Sequence, residues 1–383
     1  VNVLHLIGGG ELGGAEQHII TLLPRLQTRG VQPLLACLYK HAPLTEKIRS
    51  TTAPPTPIPT DLFPMRAPFD LSPLPRLLKY CTRHKIDLIH CHGLRANIIG
   101  RAASLISRLP AITTWHSWPE QDFPGALTGK IAMTLEHMTL GLSAGSITVS
   151  HALADKLQQW PPMERQKTSK KNRFHQTIYN GYTPLQRTPE EHAQARQDYR
   201  GLWHIPENAV VLGSVGRLHP VKGHLYLLEA ASLLASRFPA LHVLLIGEGP
   251  ERSSLEQQLI NAPYTYTLAG HLPNAERALP AIDMFVFPSL HEGMGIALLE
   301  AIQANLPIVA TAAGGIPEIL RAGTDALLVP PADANAIADA CQRLLENPAH
   351  SQALTAAAQE RLTLFNPEDM ADQTVAFYRQ ILY

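Results

Sequence analysis

VNVLHLIGGGELGGAEQHIITLLPRLQTRG, residues 1–30, reads as strand, glycine turn and helix in a single pass. The apolar run stops at Ile7. Five glycines then crowd into residues 8–14, and apolar positions at helical spacing run on to a closing Gly30. Gly8, Gly10 and Gly13 form a literal G-x-G-x-x-G in the setting that a dinucleotide fingerprint requires. A nicotinamide or flavin site also wants an acid at the end of the second strand, about 20 residues on, to hold ribose hydroxyls. The second strand, VQPLLACLYK, offers Cys37, Tyr39 and Lys40 there instead. A dehydrogenase is therefore set aside. What remains is a set of backbone N–H groups at a helix N-terminus, where an anion is stabilised. The plainer alternative is a tight turn that needs the freedom of glycine and nothing more.

Outward from this stretch, short apolar runs alternate with amphipathic ones along the whole chain, the pattern of parallel sheets covered by helices. The first half gives strands at VNVLHLI, QPLLACL, KIDLIH, AITTWH, SITVS and QTIYNG. The rhythm restarts with AVVLGSVG, HVLLIGEG, YTYTLAG, MFVFPS, PIVAT and DALLVPP. The expected architecture is α/β, with two doubly wound Rossmann-like domains facing a cleft. Residues 1–182 make the first and 183–365 the second. Residues 366–383 form a C-terminal helix that packs back on the first domain. Residues 53–75 carry eight prolines, too many for a helix or central strand, and predict a surface loop. Residues 164–173, ERQKTSKKNR, predict a solvated basic loop, with contact to phosphate or an anionic surface as the sharper reading.

The composition fits two domains: 383 residues, 45% apolar and 17% charged. No apolar run reaches the roughly 18 residues of a membrane span, and IAMTLEHMTLGLSAG, broken by Glu136 and His137, reads as a helix. A strand is expected from Val1, with no basic-then-apolar signal segment expected before it, and four scattered cysteines suggest reduced core thiols. The expected location is cytoplasmic, with peripheral contact at the inner membrane face. Net charge is zero by cancellation. Residues 1–180 hold 20 Lys and Arg against 11 Asp and Glu, and residues 181–383 hold 12 against 21. A split of +9 and −9 suggests different partners for the two halves, the alternative being chance dispersion of surface charge. Nucleic acid is not an expected partner.

Two stretches carry the chemistry. LHEGMGIALLEAIQANLPIVATAAGGIPEIL, residues 290–320, spaces Glu292 and Glu300 as E-x7-E around Gly293, Met294 and Gly295. Even on one helix, eight residues separate side chains by about 80° and about 12 Å. Paired hydrolytic carboxylates sit roughly 5–9.5 Å apart, so these two are not the acid and nucleophile of a glycosidase. They suit an extended ligand gripped at two places, with glycine N–H groups on an anion between them. In SVGRLHPVKGH, residues 214–224, Arg217 and Lys222 fall just after a strand and beside a helix start, a site for a diphosphate.

In order and spacing, GGGELGGAEQ, DLIHCHG, TWHS, TVSHALADKL, IYNGYTP, VGRLHPVKG, EGMGIALLEA and GGIPE resemble the retaining glycosyltransferases of family 4, which have the two-domain GT-B fold. The resemblance covers almost the whole chain. It implies that Arg217 and Lys222 hold a donor diphosphate, Glu300 the ribose hydroxyls and Glu292 the donor sugar. Gly293, Met294 and Gly295 then contribute to donor binding, Gly13 and Gly14 approach the donor across the cleft, and His116 faces the donor sugar. His90 and His92 are expected on opposite faces of their strand, without an acidic or cysteine partner, so zinc is not expected. With no D-x-D, no obligatory metal or other cofactor is expected either. Two departures from the family bear on the hinge: the segment before IYNGYTP is longer and more basic, and Thr183 replaces the usual acid.

The implied function is retaining transfer of a sugar from a nucleoside diphosphate, UDP favoured, to an acceptor in glycan, glycolipid or polysaccharide synthesis. The basic first half suggests an anionic or lipid-linked acceptor. The alternatives are a sugar-nucleotide epimerase or hydrolase of the same fold, or a non-catalytic sugar-nucleotide-binding protein.

Overall fold

The computed structural model describes residues 1–8, 10, 12–41, 43–51, 57–67, 70–119, 126–160 and 174–383. They form two compact units, Val1–Thr183 with Phe365–Tyr383, and Pro184–Leu364. In the first unit the strands are β1 (Asn2–Ile7), β2 (Gln32–Cys37), β3 (Thr60–Leu62), β4 (Leu88–His92), β5 (Ala111–Trp115), β6 (Gly145–Thr148) and β7 (Phe174–Thr177). They make one parallel sheet in the order β3-β2-β1-β4-β5-β6-β7. The second unit has β8 (Val210–Val215), β9 (Leu241–Ile246), β10 (Thr265–Gly270), β11 (Met284–Phe287), β12 (Ile308–Thr311) and β13 (Leu327–Val329), parallel in the order β10-β9-β8-β11-β12-β13. Helices cover both faces of such sheets, so their strands read as mostly apolar runs rather than alternating ones. All of β4, β5, β9 and β11 is buried.

Strand order reverses between β1 and β4 in one sheet and between β8 and β11 in the other. The crevice outside the carboxyl ends of the strands at such a reversal is where open α/β sheets bind ligands.

The proline-rich stretch is not simply a surface loop. Thr60–Leu62 pairs with β2 as the outermost strand, and Ile58, Phe63 and Met65 are buried in the core. An edge position tolerates neighbouring prolines because one side of the strand has no ladder to complete. Residues 53–56, 68 and 69 of that stretch, and the whole basic run 164–173, lie outside the described residues.

IAMTLEHMTLGLSAG does hold a helix, Ala126–Leu140. Its Glu136 is fully buried against an equally buried Arg101, at 2.6 Å. The Asn97 amide donates to both carboxylate oxygens, and Arg101 donates to Thr113 and Thr139. Charges this deep persist only when paired and hydrogen-bonded. The closing helix, Pro367–Leu382, sends Met370, Val375, Phe377 and Tyr378 into the first unit's core. Arg29 clamps its first turns, bonding Asp372 at 2.6 Å and Glu368 at 2.9 Å. Where the family carries an acid, Thr183 accepts a 3.3 Å hydrogen bond from Arg25. All four cysteines are buried free thiols.

Candidate active site

The second unit builds its site at the β8–β11 reversal. After β8, Arg217 is exposed, and a short 3-10 turn, Pro220–Lys222, sets Lys222 beside the loop that follows β11. Leu290 N–H donates to Val221 O at 2.8 Å, locking the two loops together. Across that junction Lys222 Nζ meets Glu292 Oε2 at 2.6 Å, and the Ser289 hydroxyl donates to the same oxygen at 3.3 Å. Lys222 also sits 5.6 Å from the centre of the Phe287 ring. Lys222 and Glu292 therefore act as one unit in the ligand-free protein. Any anion bound at Lys222 would have to compete with Glu292 for the ammonium.

Glycine is required where loops touch. Gly314, at φ +53°, lies so close to the Glu292 carbonyl that an added Cβ would stand 1.9 Å from it. A Cβ on Gly247 would meet Gly216 O at 1.9 Å, directly beside Arg217. Both contacts exclude any side chain, so GGIPE and GEGPE press against the backbone that carries Glu292 and Arg217.

Gly293, Met294 and Gly295 are buried in the turn, and Gly295 caps the helix Ile296–Gln303. Glu300 lies on that helix and has no ion-pair partner among the described residues. Burial, and next the Glu276 carboxylate, push its carboxyl up to about 8. The residue is half-buried, and its ionised form is stabilised by any ligand that brings hydroxyl donors to it.

In the first unit, Gly13 caps the helix Gly14–Gln27, and its N–H donates to Glu16 Oε2 at 3.1 Å. A phosphate approaching this terminus must displace that carboxylate. Gly8 and Gly10 pack on the Tyr39 ring, where a Cβ would come to 3.0 Å, and Arg95 stacks over the same ring at 4.5 Å. Tyr39 thus occupies the place where a dinucleotide site keeps its acid. Residues 9 and 11 lie outside the described residues.

His116 follows β5 and is not isolated. Its Nε2 is 3.0 Å from His92 Nδ1, and His92 Nε2 is 3.1 Å from His5 Nδ1. His18, one turn into the first helix, lies edge-on to His116 with ring centres 4.9 Å apart. This corrects two expectations. His90 and His92 share one face, with rings 4.2 Å apart, because two residues are a full strand period. Clusters with metal-ligand spacing also exist: nitrogens of His5, His90 and His92, and of His18, His92 and His116, lie within 4.8 Å of one another. The hydrogen bonds nevertheless use both nitrogens of His92 and both of His90, the latter on Tyr378 and Thr114. Burial holds all five rings below the ordinary histidine range, His5 at about 3 and His18 at about 4.

Comparison with known proteins identifies the family. Residues 12–169 match the model of Glycosyltransferase Family 4, and residues 209–347 that of Glycosyl transferases group 1. The chain belongs to the family 4, group 1 glycosyltransferases. Its relatives include 2-deoxystreptamine glucosyltransferase of Streptomyces kanamyceticus, 31% identical over 46% of this chain and 47% of the relative. D-inositol 3-phosphate glycosyltransferase of Nocardioides is 33% identical over 49% and 45%. Over these two, the match spans about half of the relative's length. N-acetyl-alpha-D-glucosaminyl L-malate synthase of Bacillus anthracis is 24% identical over 82% of this chain and 80% of its own. Among solved structures, Anabaena HepE in complex with UDP-glucose shares the fold, with a TM-score of 0.79, 21% identity and 99% of each chain covered.

Within this family 4 chain, the structure joins Lys222 to Glu292 directly and sets Glu300 on the helix that follows. Gly13, Gly14 and His116 belong to the other unit. Sequence reasoning missed His5, His18 and Tyr378. The first two carried a signal: His18 falls one helical turn after the glycines, and His5 has the strand phase of an inward-facing residue. Tyr378 carried none.

Proposed function

We propose that the protein transfers a sugar, with retention of configuration, from a nucleoside-diphosphate sugar to an acceptor. The observation that carries this is the grouping of Arg217, the Lys222–Glu292 pair and the desolvated Glu300 on the loops and helix that follow the carboxyl ends of β8 and β11. In this reading Arg217 and Lys222 hold the diphosphate and stabilise its charge as it leaves, in the way fixed cations do. Glu300 accepts from the ribose hydroxyls. Glu292 and the backbone of Gly293, Met294 and Gly295 hold the donor sugar, and Gly13, Gly14 and His116 are the first unit's candidates for substrate contact. The bond from the anomeric carbon to the diphosphate breaks while the bond to the acceptor oxygen forms on the same face. The acceptor proton passes to the departing phosphate oxygen. No divalent metal or other cofactor is obligatory, the two cations taking that role.

A UDP-sugar is the favoured donor, supported by HepE having been solved with UDP-glucose and with UDP. The acceptor is anionic or lipid-linked. The basic first half supports this, as do relatives named for D-inositol 3-phosphate and L-malate. We place the protein in the cytoplasm, in peripheral contact with the inner membrane face. Among the described residues no helix is long and apolar enough to cross a membrane, whereas Leu127, Ile131 and Met138 form an exposed apolar stripe on Ala126–Leu140.

The test is a thermal-shift screen across nucleoside diphosphates and their sugars, since a ligand that binds only the folded state raises its melting temperature. Incubation of the best donor without acceptor follows. Slow release of free sugar with retained configuration supports a transferase. An epimer, or an unchanged donor in the presence of every acceptor class, overturns it.

A further inference from the structure

The histidines of the first unit form one continuous chain of hydrogen bonds. From one end it runs Thr114 Oγ1 to His90 Nε2 at 2.7 Å, His90 Nδ1 to Tyr378 OH at 2.6 Å, and Tyr378 OH to His5 Nε2 at 3.4 Å. It continues from His5 Nδ1 to His92 Nε2 at 3.1 Å and from His92 Nδ1 to His116 Nε2 at 3.0 Å. His116 Nδ1 is buried and has no hydrogen-bond partner among the described residues. A neutral imidazole carries one proton, so each ring donates at one nitrogen and accepts at the other. With the buried Tyr378 hydroxyl proton also used within the chain, only two proton arrangements satisfy every link. In one, all four chain histidines are protonated at Nε2. In the other, all four are protonated at Nδ1.

Tyr378 decides between them. O–H donors make bonds of about 2.5–3.0 Å, whereas N–H donors make bonds of about 2.7–3.2 Å. The 2.6 Å link falls only within the O–H range and is assigned to the Tyr378 hydroxyl donating to His90 Nδ1; the 3.4 Å link is longer than both ranges, by less for an N–H than for an O–H donor, and is assigned to His5 Nε2–H donating to the phenol oxygen. The reverse arrangement requires an N–H bond that is too short and an O–H bond that is too long. With Tyr378 donating to His90, His5 Nδ1 must accept from His92 Nε2–H. His92 Nδ1 must then accept from His116 Nε2–H.

We propose that Tyr378, on the C-terminal helix, is a positioning residue that fixes His116 in its Nε2–H tautomer and leaves Nδ1 as a bare acceptor for a substrate hydroxyl. The ligand half of this statement rests on His116 meeting a substrate, whereas the tautomer half stands by itself. His18 presents a second such atom. Its Nδ1 is 2.8 Å from Asn180 Oδ1, to which it donates, so the unpartnered Nε2 carries a lone pair. A bare imidazole nitrogen of this kind suits a hydroxyl donor and disfavours a carbonyl or phosphate oxygen.

The test uses the full chain with 15N-labelled histidine, in which long-range 1H–15N correlation identifies the protonated nitrogen of each ring. His116 is assigned by its loss in His116→Gln. His5, His90, His92 and His116 are expected as Nε2–H tautomers, with His18 as the opposite one. Tyr378→Phe should move His5, His92 and His116 toward a mixture of tautomers while His18 stays. His5→Leu cuts the same chain without touching the C-terminal helix and should give the same drift at His92 and His116. Wild-type rings protonated at Nδ1, or a folded Tyr378→Phe or His5→Leu protein with an unchanged His116 signal, would overturn the proposal. Zinc displacing the His92–His116 bond at stoichiometric concentration would overturn it too. Transfer retained in full by His116→Ala, with the wild-type tautomers as stated, would instead refute the substrate role of His116.

Discussion

If Glu300 holds the donor as proposed, donor binding becomes a function of pH. Its carboxyl is held at about 8 in the ligand-free protein, by burial first and by Glu276 second. If ribose hydroxyls donate to it, the bound carboxylate returns toward its ordinary range near 4.3, and binding releases a proton. At pH 7 about nine-tenths of the free protein is protonated there, so release approaches one proton per ligand. Affinity weakens about fivefold from pH 8 to 7 and about tenfold from pH 7 to 6, so the step from pH 8 to 6 costs on the order of 50-fold. The assay is calorimetric titration with an intact sugar nucleotide, which lacks the titrating terminal phosphate of a free diphosphate, in two buffers of different ionisation enthalpy. Glu300→Gln should abolish both the proton release and the slope, so the advantage of the wild type shrinks as pH falls. The same group acts on stability with a defined sign. Its folded pKa is raised, so its contribution is complete below about 4.3 and is lost as pH rises through 8. The melting temperature of the ligand-free wild type should therefore fall relative to Glu300→Gln across that window. A Glu300→Gln protein with the wild-type binding slope would refute the reasoning.

Arg217→Ala should weaken binding of the nucleoside diphosphate by about 10- to 150-fold, the effect of one charge-assisted contact, and unchanged calorimetric affinity would remove Arg217 from the site. Transfer should survive EDTA; complete loss, restored by manganese or zinc, would turn the histidine clusters into a metal centre. Glu136→Ala should lower stability by about 3–5 kcal/mol, because it strands a fully buried Arg101, and a denaturant midpoint within error of the wild type would contradict that. Once an acceptor is known, its Michaelis constant should rise steeply between low and moderate salt while that of the donor changes less, as screening over about 8–10 Å requires; an acceptor insensitive to salt would remove the electrostatic argument.

The alternation of apolar runs and glycine turns was enough to place twelve of the thirteen strands among the described residues, because a strand buried on both faces is mostly apolar along its length. Thr60–Leu62 escaped because its signal is three residues long and lies among prolines. Arg217, Lys222, Glu292 and Glu300 were legible as candidates because each stands at a fixed offset from a strand end or glycine turn, and such local spacing survives in one dimension. Their grouping was not legible. It depends on β8 lying beside β11 rather than β9 alone, an order that hydrogen bonding between strands distant in sequence decides. The histidine chain shows the same division. His90 and His92 were visible, and strand periodicity alone sets them on one face. His5 reaches them by β1 pairing with β4, and Tyr378 by a helix returning from the far end of the chain. No local rule encodes those contacts. They form because the sheet and its covering helix bury more apolar surface together than apart, and the polar atoms trapped between them must find one another.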